Sequence, residues 1–274
     1  MSESRRKVVL ITGASSGIGL ACAELLGARG HAVHGTSRHP AKDGAHHRMR
    51  VLDVTDDASV RRVVEGVLAD EGRLDVVVNC AGFVLSGAVE DVSVEEAWRQ
   101  MDTNFFGVLR MCKAVLPAMR AQRAGLIINI SSMGGAAGLP FQGLYSASKF
   151  ALEGLTESLR QEVAAFGVEA TLVQPGDVRT RVREYRVRAS QSGPGSAYRE
   201  DFEKVLERME AGEGAGVPPE VVARKVQALV ERPRVDVRYS VGHLSQRVAL
   251  VSKRLLPART FEHIVMSLYG LSRR

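Results

Sequence analysis

A tyrosine and a lysine one helical turn apart are the residues in this sequence best suited to proton transfer. Tyr145 and Lys149 lie at positions i and i+4 of a stretch with helical spacing, so their side chains share one face of the helix. A free tyrosine has a pKa of about 10, and a nearby cation lowers it because the cation favours the phenolate. Such a tyrosine can give a proton to a carbonyl oxygen, or take one from an alcohol, near neutral pH.

Two serines precede this pair and offer a hydroxyl group to the same reaction. Ser131 and Ser132 directly follow the apolar run Leu126–Ile130, and Ser132 lies thirteen residues before Tyr145. Parallel sheets bind ligands outside the carboxyl ends of their strands. A serine at that edge can therefore hydrogen-bond the carbonyl oxygen that Tyr145 would protonate, and both serines are candidates for this role.

A glycine-rich segment joins the first predicted strand to the first predicted helix. It runs from Thr12 to Gly19 and has the sequence Thr-Gly-Ala-Ser-Ser-Gly-Ile-Gly. Glycines there let the backbone turn tightly and approach a pyrophosphate, which binds the free N–H groups at the start of the helix. The position of the segment favours a nucleotide-binding loop over a simple tight turn.

The end of the second predicted strand indicates which dinucleotide would bind. A carboxylate there would accept a hydrogen bond from the ribose 2′-OH of NAD, whereas an arginine would bind the 2′-phosphate of NADP. The segment Gly35-Thr36-Ser37-Arg38 has no carboxylate, and Arg38 can pair with phosphate oxygens through two parallel hydrogen bonds. Ser15 could add a hydroxyl group. We therefore predict NADP, and the alternative is that Arg38 is simply a solvated arginine.

Short β-branched runs alternate with helical segments, which predicts an α/β fold. The predicted strands are Lys7–Thr12, Ala32–Thr36, Arg48–Leu52, Leu74–Asn79, Leu126–Ile130, Val168–Val173 and Val235–Tyr239. The predicted helices are Ile18–Arg29, Ala58–Glu71, Val94–Arg120, Tyr145–Phe166 and Val221–Val230. Repeated βαβ units imply a doubly wound parallel sheet, the Rossmann fold, in three α/β/α layers. No linker divides the chain, so we expect one domain over residues 1–274, with a C-terminal helical extension at 241–274.

Residues 179–216 are predicted to form a lid segment over the substrate site. The polar stretch 179–195 contains glycine, serine and Tyr185, and it indicates a loop. The apolar residues that follow fall on one face of a helix: Tyr198, Phe202, Val205, Leu206 and Met209. A loop followed by an amphipathic helix suits a lid over an apolar substrate. The alternative is an ordinary surface helix that covers the core.

Composition excludes several classes of protein. Of the 274 residues, 45% are hydrophobic and 25% are charged, which argues against a disordered chain, a collagen-like chain and a bundle of membrane spans. The apolar run Val8–Ile11 is too short for a secretory signal, so we expect a cytoplasmic protein. Cys22, Cys80 and Cys112 are too few and too scattered for a disulfide framework or a zinc site, and we predict no metal.

The net charge of +6 comes from the C-terminal part of the chain. Residues 221–274 contain eleven Lys and Arg against three Asp and Glu, so the rest of the chain is slightly acidic. This distribution argues against nucleic acid as the main partner. In the extension the basic residues are Arg247, Lys253, Arg254, Arg259, Arg273 and Arg274, and they flank Val248, Val251, Leu255, Phe261 and Leu268. We expect the extension to pack on its own domain, and contact with an anionic membrane surface or closure of the substrate pocket are the alternatives.

These motifs together resemble the short-chain dehydrogenase/reductase family, in the branch that has a single compact domain. The resemblance extends from residue 7 to about residue 180. It includes the glycine loop, Asp53-Val54, Asn79-Cys80-Ala81-Gly82, Asn104, Ser132, Tyr145, Lys149 and Pro175-Gly176-Asp177-Val178-Arg179-Thr180. Cys80 departs from the alanine or asparagine usual in the family, and we expect no effect on catalysis.

The resemblance implies a role for each of four catalytic residues. Tyr145 would be the general acid and base, and Lys149 would lower its pKa and hydrogen-bond the nicotinamide ribose. Ser132, favoured over Ser131 by its spacing from Tyr145, would orient and polarise the substrate carbonyl. Asn104 would hold a water molecule that links Lys149 to solvent.

The resemblance also implies a set of residues that bind the dinucleotide. The set comprises Gly13, Ser15, Ser16, Gly17, Ile18, Gly19, Arg38, Asp53, Val54, Asn79, Ala81, Gly82, Tyr145, Lys149, Pro175, Gly176, Val178 and Thr180. Asp53 and Val54 would contact the adenine, and Asn79 would chiefly brace the sheet. Val178 and Thr180 would bind the nicotinamide carboxamide and the phosphates.

The implied function is an NADPH-dependent carbonyl reductase that works reversibly as an alcohol dehydrogenase. The stretch 138–155 is similar to 17β-hydroxysteroid and retinol dehydrogenases, so the predicted substrate is a hydrophobic ketone or aldehyde of steroid, retinoid, polyketide or fatty-chain type. A small or polar carbonyl compound is the alternative. The helices around Asn104 and from Tyr145 imply a homodimer or homotetramer.

Two other functions are compatible with part of this pattern. A non-catalytic NADP-binding regulator or scaffold could share the fold, but such proteins typically lack the tyrosine or the lysine, and this chain keeps both Tyr145 and Lys149. A sugar-nucleotide epimerase or dehydratase also uses a tyrosine and a lysine four residues apart. Its glycine loop is spaced differently from residues Thr12 to Gly19.

Overall fold

A seven-stranded parallel sheet forms the centre of the protein, here a computed structural model that describes residues 6–39 and 42–272. The strands are β1 (Val8–Ile11), β2 (Ala32–Ser37), β3 (Arg48–Val51), β4 (Val76–Asn79), β5 (Leu85–Ser86), β6 (Gly125–Ile130), β7 (Val168–Pro175), β8 (Val187–Arg188) and β9 (Arg238–Val241). The sheet has the order β3-β2-β1-β4-β6-β7-β9, and β5 and β8 form a separate two-stranded sheet. The strand order reverses between β1 and β4, and such a switch point opens a ligand crevice.

Helices cover both faces of the sheet and give it three layers. They are α1 (Gly17–Ala28), α2 (Asp57–Glu71), α3 (Val94–Met101), α4 (Gly107–Gln122), α5 (Gly143–Val163), α6 (Val182–Tyr185), α7 (Arg199–Ala215), α8 (Pro219–Val230), α9 (Leu244–Leu255) and α10 (Ala258–Leu268). One apolar core joins the sheet to α2, α4 and α5, and a second joins it to α1 and α8. The central strands are apolar on both sides because each side is covered by helices. The predicted doubly wound α/β fold is confirmed.

The segment predicted as one helix, Val94–Arg120, contains a wider turn at its centre. Residues 102–106 form a π-helical turn between α3 and α4. Asn104 lies within this turn and is almost completely buried. Such turns redirect one side chain without ending the helix, and they are frequent at functional sites.

The last strand lies later in the chain than predicted. The sequence pattern indicated Val235–Tyr239, whereas β9 is Arg238–Val241. The carbonyl oxygens of Val235 and Asp236 instead accept hydrogen bonds from the side chains of Arg160 and Thr171. Those backbone groups are therefore bound by side chains, and the parallel ladder with β7 starts at Arg238.

The lid segment, residues 179–216, contains α6, β8 and α7. Phe202, Val205, Leu206 and Met209 on α7 are buried, as their helical spacing indicated. Tyr198 instead donates its hydroxyl hydrogen to the carboxylate of Glu90 at the surface, 2.6 Å away. The apolar face of α7 thus packs against the body of the protein, and a lid function for residues 179–216 stays a prediction.

The C-terminal extension forms two helices, α9 and α10, and the predicted basic residues Arg273 and Arg274 lie outside the described residues. Gln246 on α9 donates to the Asp177 carboxylate at 2.6 Å, and Arg208 on α7 donates to the carbonyl oxygens of Ser267 and Leu268. Within residues 6–39 and 42–272, no helix is long and apolar enough to cross a membrane.

Candidate active site

The glycine loop is held tightly against the turn that follows β4. The hydroxyl oxygen of Thr12 accepts hydrogen bonds from the backbone N–H groups of Cys80 and Ala81, each at 3.0 Å. Gly13 has a φ of +69°, and a Cβ there would lie 2.9 Å from the Cα of Ala81. A Cβ on Gly19 would overlap the carbonyl oxygen of Gly13. Only glycine fits at these two positions, because the backbones approach each other so closely.

The first turn of α1 is suited to an anion. Ser16 is the N-cap residue, its side chain caps none of the first N–H groups, and the first turn has no acidic residue. These N–H groups, with the positive end of the helix dipole, bind phosphate groups in many proteins. Thr180 lies directly beside Gly17, since a Cβ on Gly17 would be 3.3 Å from the Thr180 methyl group. Gly17 and Thr180, which belong to two distant segments predicted to bind the dinucleotide, therefore lie side by side.

Arg38 is exposed just beyond the end of β2, where the sequence predicted it to contact a 2′-phosphate. Asp53 lies near it, at the corresponding end of β3. Burial by itself raises the pKa of Asp53, but hydrogen bonds from Thr55 outweigh burial, and Arg38 and Arg110 act in the same direction, so the pKa is lowered. The Asp53 carboxylate near Arg38 is already hydrogen-bonded to Thr55, at 2.9 and 2.7 Å.

Tyr145 and Ser132 meet at the carboxyl end of β6. Their side chains share a hydrogen bond. Because the oxygen of Ser132 also accepts from the backbone N–H of Gly134 at 3.0 Å, its own hydrogen is free to point toward Tyr145. Ser131 points the other way: its hydroxyl oxygen is buried without a hydrogen-bond partner and lies against Gly135. The geometry pairs Ser132, and not Ser131, with Tyr145.

The pKa of Tyr145 is shifted upward, in contrast to the lowering expected from Lys149. Burial raises this pKa, and the hydrogen bond with Ser132 lowers it. Of the lid residues, Glu213 raises the pKa and Arg186 lowers it, both by smaller amounts. The Lys149 ammonium is directed to the carbonyl oxygen of Ile130 at 2.8 Å and lies 5.9 Å from the centre of the Tyr145 ring. Its charge is therefore partly satisfied by the backbone, and Tyr145 is held as a protonated phenol.

Lys149 is itself a perturbed group. Burial lowers the pKa of Lys149 to about 8, because the ammonium loses its water and gains the neutral Ile130 carbonyl as its hydrogen-bond acceptor. Cys80 and Glu153 oppose this shift because they favour the charged form of the lysine. A lysine with a pKa near the operating pH is able to exchange a proton during catalysis. This property fits the position of Lys149 beneath the tyrosine.

We expect the free energy of unfolding of the wild type to rise between about pH 8 and pH 10.5, and the Lys149→Met variant to lack this rise. Between about pH 8 and the ordinary value of 10.5, the unfolded chain holds the Lys149 proton and the folded chain does not, so stability rises with pH across this window. From pH 7.5 to 10 the wild type should gain roughly 2 kcal/mol relative to the variant. Urea unfolding of both proteins across this range measures the difference.

The matched control for this experiment is Lys113→Met, which removes an exposed lysine of α4. It should follow the wild type at every pH. If Lys149→Met also followed the wild type, the lowered pKa of Lys149 would be contradicted.

Asn104 braces the loop that leads into the site. Its side-chain oxygen accepts from the backbone N–H of Phe83 at 3.1 Å, and its amide nitrogen donates to the Phe83 carbonyl at 3.0 Å and to the Ser148 hydroxyl at 3.3 Å. The π-helical turn directs Asn104 between this loop and α5, next to Gly82. These contacts position the Asn104 side chain, and the water that the family resemblance implies stays a prediction.

The other predicted residues lie around the same crevice. Asn79 donates to the side-chain oxygen of Asn129 at 2.8 Å, so it braces β4 against β6. The backbone of Gly176 donates to Val241 at 2.8 Å, and Val178 pairs with Val217. Among the described residues, no group of three or more His, Cys, Asp and Glu side chains could hold a metal ion.

A buried ion pair in the lid segment was not predicted from the sequence. Arg186 and Glu213 contact each other, and Arg186 also donates to the Ser86 hydroxyl at 2.9 Å. The pair lies close enough to Tyr145 to affect its pKa. The sequence did contain one indication of this pair. Glu213 lies one helical turn after Met209, so a carboxylate occupies the next position on the apolar face of α7. No motif marks Arg186.

Tyr269, at the end of α10, is a second residue that was missed. Burial raises its pKa to about 12, with Asp177 and Glu213 adding to the shift and Arg186 opposing it. The C-terminal extension therefore reaches the same cluster of charges that lies beside Tyr145. Its sequence neighbours contain no pattern that could have indicated this contact.

Comparison with known proteins agrees with this geometry. Residues 7–191 match the short chain dehydrogenase family. The chain is 43% identical to 3-ketodihydrosphingosine reductase of Bacteroides thetaiotaomicron, covering 97% of this chain and 98% of the relative. A short-chain dehydrogenase from Streptomyces avermitilis has a similar structure, with a TM-score of 0.80, 33% identity and coverage of 91% and 93%. The protein ElxO with NADP bound has a TM-score of 0.71, 27% identity and coverage of 86% and 97%. The chain belongs to the short-chain dehydrogenase/reductase family.

Proposed function

We propose that this protein is an NADPH-dependent reductase of ketones that carry a long apolar chain. The observation that carries the proposal is the hydrogen-bonded pair of Tyr145 and Ser132 at the carboxyl end of the sheet, with buried Lys149 beneath the tyrosine. A protonated phenol and a hydroxyl group directed to one place can together bind and protonate a carbonyl oxygen.

The residues of this chain divide the work as follows. When bound, NADPH supplies the hydride that reduces the carbonyl carbon. Tyr145 donates its proton to the carbonyl oxygen, which becomes the hydroxyl group of the product. Ser132 holds that oxygen by donating a hydrogen bond, and Lys149 can return a proton toward Tyr145. The reverse reaction, oxidation of an alcohol, uses Tyr145 as the proton acceptor.

NADPH is the proposed cofactor because of the residues at the end of β2. Arg38 is exposed there, and the segment Gly35-Thr36-Ser37-Arg38 contains no carboxylate that could bind the 2′-OH of NADH instead. Ser15 in the glycine loop is also exposed and can add a hydrogen bond to the 2′-phosphate. The related structure of ElxO has NADP bound, which supports the same choice.

For the substrate we propose a long-chain ketone with a polar head, similar to 3-ketodihydrosphingosine. The relative named for that substrate matches nearly the full length of this chain. This match favours the fatty-chain type over the steroid and retinoid types among the predicted substrates. The buried Arg186–Glu213 pair beside Tyr145 also provides charged groups near the reacting carbonyl, where a polar head would lie.

The chain-length dependence of turnover tests the substrate class. We expect the purified protein to oxidise NADPH with 3-ketodihydrosphingosine, and a homologue shortened by four methylene groups should have a kcat/KM lower by roughly 200-fold, because each buried methylene contributes about 0.8 kcal/mol. The measurement is NADPH consumption, with steroidal and retinoid ketones assayed in parallel. A preference for those rigid substrates, or no dependence on chain length, would contradict the proposal.

The alternative function, a non-catalytic NADP-binding regulator, makes a different prediction for the same experiment. It requires tight NADPH binding without turnover of any ketone. The retained set of Asn104, Ser132, Tyr145 and Lys149 favours the enzyme. A homo-oligomer formed through α4 and α5 and a cytoplasmic location remain predictions from the sequence.

A further inference from the structure

Helix α9 exposes a continuous row of aliphatic side chains. Leu244, Val248, Val251 and Leu255 lie at positions i, i+4, i+7 and i+11 and are 72%, 56%, 58% and 78% exposed. This spacing places all four on one face of the helix. Single exposed aliphatic residues are common on protein surfaces, but a row of four on one helix indicates a binding surface.

The opposite face of α9 is the one that holds it to the protein. Gln246 donates to the Asp177 carboxylate, and Lys253 donates to the carbonyl oxygen of Ala136. The Lys253 ammonium also lies 5.1 Å from the centre of the Phe150 ring. Because these contacts fix the orientation of the helix, the aliphatic row faces away from the domain.

The charges around the row are almost all positive. Arg247 and Arg254 are exposed and lie seven residues apart, so they form one edge of the aliphatic face. Arg259 is exposed at the start of α10. Helix α9 contains no acidic residue, and residues 244–272 contain four basic residues against one acidic residue, Glu262.

We propose that α9 is a docking surface for an anionic lipid bilayer. A helix with an aliphatic face and a basic edge lies in the membrane interface, with its aliphatic side chains among the acyl chains and its arginines at the lipid phosphates. A second copy of this chain is the other occupant to consider. An antiparallel copy would bring the arginine edges of two helices together, and a parallel copy would offer no carboxylate from α9 to either edge. Charge complementarity therefore favours the bilayer.

The docking surface is also connected to the lid segment. Arg208 on α7 donates to the carbonyl oxygens of Ser267 and Leu268 at 3.1 and 2.9 Å, at the end of α10. Leu268 itself is 63% exposed, and Ile264 lies one turn before it. Helix α10, which follows α9, is thus hydrogen-bonded to the segment predicted to cover the substrate.

Sedimentation with lipid vesicles tests the proposal on the full-length protein. We expect the protein to sediment with vesicles of phosphatidylcholine and phosphatidylglycerol, and much less with phosphatidylcholine alone. Val248→Glu combined with Val251→Glu should lower binding to the mixed vesicles at least 10-fold. Arg247→Glu combined with Arg254→Glu should remove the preference for the anionic lipid, and added salt should weaken wild-type binding because it screens the arginines.

The matched control is Val94→Glu, which adds a carboxylate at a 67% exposed valine of α3 on the body of the protein. It should bind vesicles like the wild type. All variants are first compared by thermal unfolding and by turnover of a water-soluble ketone. If the double valine variant is unstable, Leu255→Ser at the end of α9 replaces it and should lower binding several-fold.

Three results would overturn the proposal. The first is wild-type protein that fails to sediment with the anionic vesicles. The second is equal binding of the wild type and the variants of α9. The third is an oligomer that dissociates in the double valine variant, as seen by size-exclusion chromatography, without any vesicle binding, since the surface would then bind a second copy. None of these results depends on which ketone the enzyme reduces.

Discussion

Replacing Tyr145 with phenylalanine is expected to lower kcat for ketone reduction about 1,000-fold. The variant keeps the ring that packs beside Lys149 and Ser132 and loses only the hydroxyl group that donates the proton. The affinity for NADPH should change little, because the glycine loop, the start of α1 and Arg38 lie elsewhere in the crevice. Steady-state turnover and a fluorescence titration with NADPH measure the two quantities.

The Tyr198→Phe variant is the control for this experiment. Tyr198 also has a hydrogen-bonded hydroxyl group, but its partner is Glu90 at the surface of the protein. We expect Tyr198→Phe to retain turnover within a factor of a few. If Tyr145→Phe retained turnover to the same extent, another group would have to be the proton donor and the proposed reaction would be wrong.

Replacing Arg38 with aspartate is expected to reverse the cofactor preference. Two charge-assisted hydrogen bonds to a 2′-phosphate contribute about 1.5–3 kcal/mol each, and an aspartate repels the phosphate while it accepts a hydrogen bond from the 2′-OH of NADH. The ratio of kcat/KM for NADPH to that for NADH should fall about 1,000-fold. The measurement is the initial rate of reduction with each cofactor at equal ketone concentration.

Arg232→Asp is the control for charge alone, since Arg232 is exposed beyond the end of α8. It changes the net charge of the protein by the same amount and should leave the cofactor ratio unchanged. An unaltered ratio in Arg38→Asp would show that other residues bind the 2′-phosphate.

Much of this site could be predicted because the chemistry depends on short segments of the chain. The run from Thr12 to Gly19 has to turn closely, and Gly13 and Gly19 are required where a Cβ would overlap the backbone. Tyr145 and Lys149 share a face because they lie on one helix. The strands around them were recognisable because a parallel sheet buried on both sides needs continuous apolar runs, such as Val76–Asn79.

The choice between Ser131 and Ser132 required the family resemblance, and the tertiary structure shows its physical basis. Successive residues of extended chain point to opposite sides, so one serine had to face the crevice and the other the interior. The sequence does not state which side is the crevice. Ser131 lies against Gly135, which also contacts the backbone of Lys149 on α5, whereas Ser132 lies beside Tyr145.

The sequence by itself determined the layer architecture and located the glycine loop, Arg38 and the tyrosine–lysine pair, because each depends on residues that are close in the chain; the roles of these residues stay predictions. Only the tertiary structure decided that the Lys149 ammonium bonds to Ile130, that Arg186 and Glu213 pair beside Tyr145, and that Tyr269 reaches the same cluster. These contacts join residues 19 or more positions apart. Burial and the direction of each pKa shift follow from how such segments pack together, which no local pattern specifies.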